Sequence, residues 1–141
     1  MTSANPHDLP QLDERRCWEL LRSHPYGRLA VAAAGVLDVF PVNHGVLGER
    51  LYFRTAEGGK LAGVVIGHDV AFEVDEVVNG VARSVVVHGR AEVVEDAGSI
   101  EGLDAEGVES YAPTVKTTWV RIVPERVTGR EFEVGPEPPR G

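Results

Sequence analysis

Cysteine is nearly absent: Cys17 is the single one in 141 residues, so no internal disulfide can staple the fold. Positive charge is also scarce. Lys+Arg total 14 against 22 Asp+Glu, a formal net charge of −8. That balance argues against nucleic acid or an anionic membrane as a main partner, because both require a basic face. It leaves room for a small anionic ligand in a local cationic pocket. No apolar run approaches the length of a membrane-spanning helix, and Met1 to Pro10 is polar, with Pro6 and Pro10. A cytoplasmic protein with no membrane partner is therefore expected. Metal spacing is missing too. His7, His24, His44, His68 and His88 show no His-x-x-x-His pair, so no metal site is expected. Ser84 has no nucleophile elbow around it. Glu73 and Asp75 share a strand face, which reads as solvated polar surface before it reads as an acid/base pair.

What remains is ordinary globular material, 43% hydrophobic and 26% charged. The length fits one domain. Residues 12–134 are read as that domain, residues 1–11 as a flexible N-terminus, and 135–141 as a Pro-rich tail.

A helix is predicted from about Asp13 to Ser23, capped by Asp13, with Leu12 packing back on Cys17. Cys17, Leu20, Leu21 and His24 follow helical spacing and form its buried stripe, and Pro25 stops it. Cys17 is then a core thiol. Strands follow at Gly27–Ala32, Leu37–His44 and Glu49–Thr55, with Ala34-Gly35 and Gly48 in the turns and Pro41 implying an edge or a bulge. Lys60 to Ile66 is a short helix closed by Gly67. Asp69–Asp75 alternates, with Val70, Phe72 and Val74 on one side. Arg83–Val94 is a long strand bent at Gly89. Ser99–Ser110 is a short helix or ordered loop. Thr117–Val123 is a strand ended by Pro124, before a last strand at Val127–Val134. The fold class is mainly β, with six to seven short antiparallel strands, an N-terminal helix and a short mid-chain helix. A small barrel removes the exposed edges.

The most informative segment is Leu51-Tyr52-Phe53-Arg54-Thr55-Ala56-Glu57-Gly58-Gly59-Lys60. A strand ends in Arg-Thr, turns over two glycines and enters a helix through a lysine. Two cations, a hydroxyl and helix N–H groups gather in one volume, which fits a phosphate. Lys60 in a first helical turn opposes the macrodipole unless an anion lies between. A solvated turn with two surface charges explains the same residues about as well.

In order and spacing, the chain resembles the pyridoxamine 5′-phosphate oxidase-like, FMN-binding split-barrel family in its short single-domain branch. The pieces are Cys17-Trp18-Glu19-Leu20-Leu21, Gly27-Arg28-Leu29-Ala30, Phe40-Pro41-Val42-Asn43-His44, the Arg54 to Lys60 segment, Val70 to Asp75, Ser84 to Ala91, Trp119 to Pro124 and Thr128-Gly129-Arg130. This resemblance implies a homodimer of split barrels with FMN at the subunit interface, and oxidoreductase chemistry on an unassigned substrate. It implies that Arg54 and Lys60 hold the FMN phosphate, with Thr55 adding a hydroxyl. Val42, Asn43 and His44 would line the isoalloxazine ring, Ser84 and Val85 would approach it from a neighbouring strand, and Trp119 would stack near it from the partner subunit. The chain lacks the Arg-x-His ending of the true oxidases, so oxidation of pyridoxamine phosphate is not expected. Two alternatives stand beside FMN. One is a deazaflavin coenzyme, whose longer charged tail would call on Arg28 and Arg83. The other is a non-catalytic flavin-binding or regulatory module.

Overall fold

Asp13 opens the first helix as its spacing predicts. In the computed structural model, which describes residues 11–55, 60–96, 98, 100–102 and 118–135, its carboxylate accepts from the Arg16 backbone N–H at 2.9 Å. Helix α1 (Glu14–Ser23) buries Cys17, Trp18, Leu20 and Leu21. Trp18 joins the stripe through its i, i+3 relation to Leu21. His24, at the C-cap, is half-buried and pairs with Glu76 at 2.8 Å. Burial pushes the Cys17 thiol up, as suits a core residue.

The remaining elements are β1 (Gln11–Leu12), β2 (Tyr26–Ala33), β3 (Val36–Asn43), β4 (Gly45–Leu47), β5 (Arg50–Thr55), α2 (Lys60–Val65), β6 (Asp69–Val78), β7 (Val81–Val93) and β8 (Thr118–Glu133). All eight strands belong to one antiparallel sheet in the order β3-β2-β6-β7-β8-β5-β4, with β1 on β8. The curled sheet is the expected split barrel. Gln11 pairs with Arg130 and so is part of β1. Residues 1–10, 56–59, 103–117 and 136–141 lie outside the described residues, and with them most of the flexible-end expectations, the expected turn at Gly58-Gly59 and most of the Ser99–Ser110 reading. Residues 98 and 100–102 are helical.

Alternation fixes two faces. Leu29, Val31, Val70, Phe72, Val74, Val85 and Val87 point into the barrel and are buried. Ala30, Ala71, Glu73, Asp75, Ser84 and Val86 point out. Below α1, one end of the barrel carries an ionic chain: His24 to Glu76, Glu76 to Arg83 at 3.3 Å, Arg83 to Glu131 at 2.6 Å, and Glu131 to Arg16 at 3.2 Å. It joins the helix to β6, β7 and β8.

Several turns follow the sequence. Ala34-Gly35 and Asn79-Gly80 have positive φ at both residues, the geometry of a two-residue hairpin turn. Asn79-Gly80 is the turn that an Asn-Gly search would have found, and it extends β6 and β7 beyond the predicted strands. Gly67, at φ +80°, closes α2, and its N–H donates to Ala91 at 2.8 Å. Pro41 lies in β3, which is an edge strand.

The structure corrects the sequence reading at Pro124. The proline does not end a strand: β8 runs through it for 16 residues. Two features make this possible. The register against β7 shifts between His88 and Gly89, where Gly89 faces Pro124. On its other side, β8 pairs with β5 only as far as Ile122 and with β1 from Gly129. The proline thus sits at a bulge and beside an open edge, where no ladder bond needs its missing N–H. A second difference is that β3 ends at Asn43 and a short β4 follows, with the His44 N–H donating to the Pro25 carbonyl at 3.0 Å between them.

Candidate functional site

Strand β5 sends Leu51, Phe53 and Thr55 into the barrel and Tyr52 and Arg54 outward. Arg54 and Trp119 are direct cross-strand partners, and the Arg54 guanidinium lies 5.2 Å from the centre of the Trp119 ring. That is within cation–π range. Trp119 is 4% exposed and packs with Tyr52 and Val94, with Leu47 and Ile100 beside them. These residues form a small second cluster on the outer face, separate from the barrel core. Thr55, the last residue of β5, is 2% exposed, and its hydroxyl has no hydrogen-bond partner among the described residues. Lys60 is the first residue of α2; its side chain lies outside the described residues.

At this corner, then, the outer face carries a half-buried guanidinium braced from below, and the strand end a buried hydroxyl with no partner among the described residues. The guanidinium suits an incoming phosphate, to which it supplies charge-assisted bonds; the hydroxyl, on the other face of β5, is a donor that an anion reaches only round the strand end. A flavin nucleotide's 5′-phosphate fits that donor set.

The other expected residues lie elsewhere. Asn43 pairs with Tyr26 on β2, and Asp75 with Ser84 on β7. Val42 pairs with Gly27, and Val74 with Val85. Since Arg28 faces Glu73 across β2 and β6, the two pairs fall at one level of the sheet. Asn43 and Ser84 point outward there, while Val42 and Val85 point into the core. This group sits near the start of β7, whereas Trp119 bonds to Val94, just past its end. Along β7, roughly 30 Å of extended strand separates the two groups. Within one chain the structure unites Arg54, Thr55 and Trp119, and separately Val42, Asn43, Ser84 and Val85.

His44 is a core residue by its contacts. Its Nε2–H donates to the Leu21 carbonyl at 2.7 Å and so caps the end of α1, and its ring meets Phe72 edge-on at 4.7 Å. Nδ1 is buried without a partner among the described residues. Burial lowers the imidazole pKa; the Leu21 hydrogen bond opposes that, and His24 adds to it. With the folded value below the ordinary value of about 6.5, the unfolded chain takes up the proton first. Stability from neutral His44 is therefore complete above about pH 6.5 and is lost as pH falls toward the folded value. Urea unfolding from about pH 8 to about pH 5.5 should show this decline. His44→Gln, which keeps a donor for Leu21 but does not titrate, should flatten it; an equally steep decline in the variant would remove His44 as the cause.

Against this geometry, the family described as pyridoxamine 5′-phosphate oxidase matches residues 13–131, and the chain belongs to that family. A candidate pyridoxamine 5′-phosphate oxidase from Corynebacterium glutamicum is 43% identical, with a TM-score of 0.80 over 89% of this chain and 99% of that one. The FAD-binding protein of Mycobacterium smegmatis is 35% identical, with a TM-score of 0.80 over 89% of this chain and 100% of that one. An uncharacterised Mycobacterium tuberculosis protein is 38% identical over 95 residues, 67% of this chain and 86% of the relative.

Among the described residues, no group of three or more His, Cys, Asp or Glu is arranged to hold a metal ion, and no helix is long and apolar enough to cross a membrane. Sequence reasoning missed the role of Tyr52 and the cis position of Trp119 beneath Arg54. Both depend on the β5–β8 register, which joins distant parts of the chain.

Proposed function

We propose that this protein binds a flavin nucleotide, FMN in the first instance, and works as an oxidoreductase at a homodimer interface. The observation that carries the proposal is the β5 corner, where Arg54 is braced on Trp119 next to Thr55, whose buried hydroxyl has no partner among the described residues. Similarity to a relative that binds FAD supports it. FMN and FAD share the riboflavin 5′-phosphate unit, so the same corner serves either. When bound, the flavin supplies hydride acceptance and donation at N5; the protein's part is to hold and orient it.

The dimer is supported by two features. The first is the separation of Arg54 and Thr55 from Asn43 and Ser84: two copies related by a two-fold axis, their β7 strands antiparallel, bring one group of each chain to a shared site. The second is the outer sheet face, where Leu37 and Val39 are 82% and 65% exposed beside Pro41, Ala30, Ala71 and Val86. These small and apolar side chains, bordered by the Arg28 ion pairs, suit burial against a second copy. Arg28 and Arg83, the cations a longer deazaflavin tail would call on, are each engaged by two carboxylates: Arg28 by Glu73 and Asp75, Arg83 by Glu76 and Glu131. That favours the flavin nucleotide.

The test is a visible spectrum before and after adding FMN and desalting, followed by titration with FMN, FAD and riboflavin. Flavin bands should persist. Arg54→Ala should weaken FMN by roughly tenfold to a hundredfold, as expected for losing a charged hydrogen bond. Riboflavin, which has no phosphate, should be unaffected. A protein that stays colourless, or a variant that holds FMN as tightly as the parent, would overturn the reading.

A further inference from the structure

We infer that Trp119 is a positioning residue that acts within its own chain, fixing the Arg54 guanidinium for the phosphate of the bound nucleotide. The inference rests on the flavin-nucleotide reading above and adds to it the residue that makes Arg54 selective.

The geometry is specific. Trp119 and Arg54 face each other across β5 and β8, with the guanidinium 5.2 Å from the ring centre. The indole is packed by its own chain, against Tyr52 and Val94, and the Trp119 backbone carbonyl accepts from the Val94 N–H at 3.0 Å. At 4% exposure, the ring has almost no surface left for a flavin arriving from a second copy. On its outer side lies the half-buried Arg54. Next along the same outer face, Arg121 is held by Glu92 at 2.6 Å and Asp96 at 3.5 Å. The cluster under Arg54 is therefore rigid on several sides.

Such bracing matters because an arginine side chain carries many rotamers. Recognition of a phosphate by two N–H groups requires the guanidinium plane to be fixed. Ordering it before the ligand arrives removes that entropy cost from binding. The indole offers an N–H donor and no lone-pair acceptor, so it attracts the cation through its ring. Trp119 should therefore control affinity for the phosphate and leave the isoalloxazine ring alone.

The experiment compares FMN and riboflavin binding to the full-length parent, Trp119→Leu, Trp119→Phe and Arg54→Ala, by quenching of flavin fluorescence, with urea midpoints measured alongside. Trp119→Leu should weaken FMN on the order of tenfold and leave riboflavin unchanged. Trp119→Phe keeps an aromatic face with a weaker quadrupole and should recover part of the loss. It also serves if the leucine variant does not fold. Equal losses for FMN and riboflavin would mean that Trp119 merely supports the sheet, and would overturn the inference. Unchanged FMN binding in both tryptophan variants would overturn it as well. If Arg54→Ala loses FMN selectively while the tryptophan variants do not, only this inference falls. If Arg54→Ala also binds FMN normally, the phosphate reading falls and takes the inference with it.

Discussion

Replacing Leu37 and Val39 together with glutamate is expected to leave the protein monomeric and to strip it of tight FMN binding. Both side chains lie on β3, an edge strand, and project from its outer face. Fully burying such a side chain is worth roughly 2 kcal/mol. In a two-fold interface each position occurs twice, so four side chains change at once, for an upper estimate of about 8 kcal/mol. The desolvation of four carboxylates adds to that cost. The barrel core is untouched, because Phe40 and Val42 face the opposite side of the same strand. The urea midpoint of the monomer should therefore be close to that of an unassociated parent. Sedimentation of parent and variant, each with and without FMN, tests this directly. Halved mass with lost FMN binding is the expected outcome. A variant that remains dimeric would move the interface to another face. A monomeric variant that still binds FMN tightly would mean that one chain supplies the whole site.

Local signals carried much of the fold. The Asp13 cap, the Ala34-Gly35 turn, the Gly67 stop and the bend at Gly89 each depend on a few adjacent residues, and each is present. The alternation of Val70, Phe72 and Val74 named the core face of β6 correctly. What escaped the sequence depends on pairing at long range. Whether a proline ends a strand turns on whether a neighbouring strand needs its N–H. At Pro124 none does, because β5 has already stopped and β1 has not begun. β1 and β4, at 2 and 3 residues, are too short to display any period. The same divide runs through the site. Arg54, Thr55 and Lys60 stand out because they are close in sequence. That Arg54 rests on Trp119, and that Ser84 lies at the far end of β7, could only come from the register.

Register also explains why a glycine holds the Asn43 and Ser84 half of the proposed site in place. Gly27 is buried on β2 against β6, and a Cβ there would lie 2.5 Å from the Glu73 carbonyl oxygen and 2.5 Å from Phe72 Cζ. The phenyl ring can move alone, but the carbonyl belongs to the neighbouring strand, so the backbones must separate. Gly27→Val is accordingly expected to cost about 3 kcal/mol or more, a large part of the stability of an ordinary domain. Gly63→Ala is the matched control: nothing lies within 4 Å of its added Cβ, and alanine favours a helix. Its urea midpoint should equal or exceed that of the parent. The consequence reaches the ligand, because β2 carries the β3 edge with Asn43 on one side and meets β6, the partner of β7 with Ser84, on the other. Parting β2 from β6 moves Asn43 away from Ser84 and leaves Arg54 on Trp119. Should Gly27→Val still fold in the cold, it should therefore weaken FMN and riboflavin by the same factor, unlike Arg54→Ala. A selective loss of FMN would show that the two halves of the site are not independent, and an unchanged urea midpoint would show that β2 and β6 have room to spare.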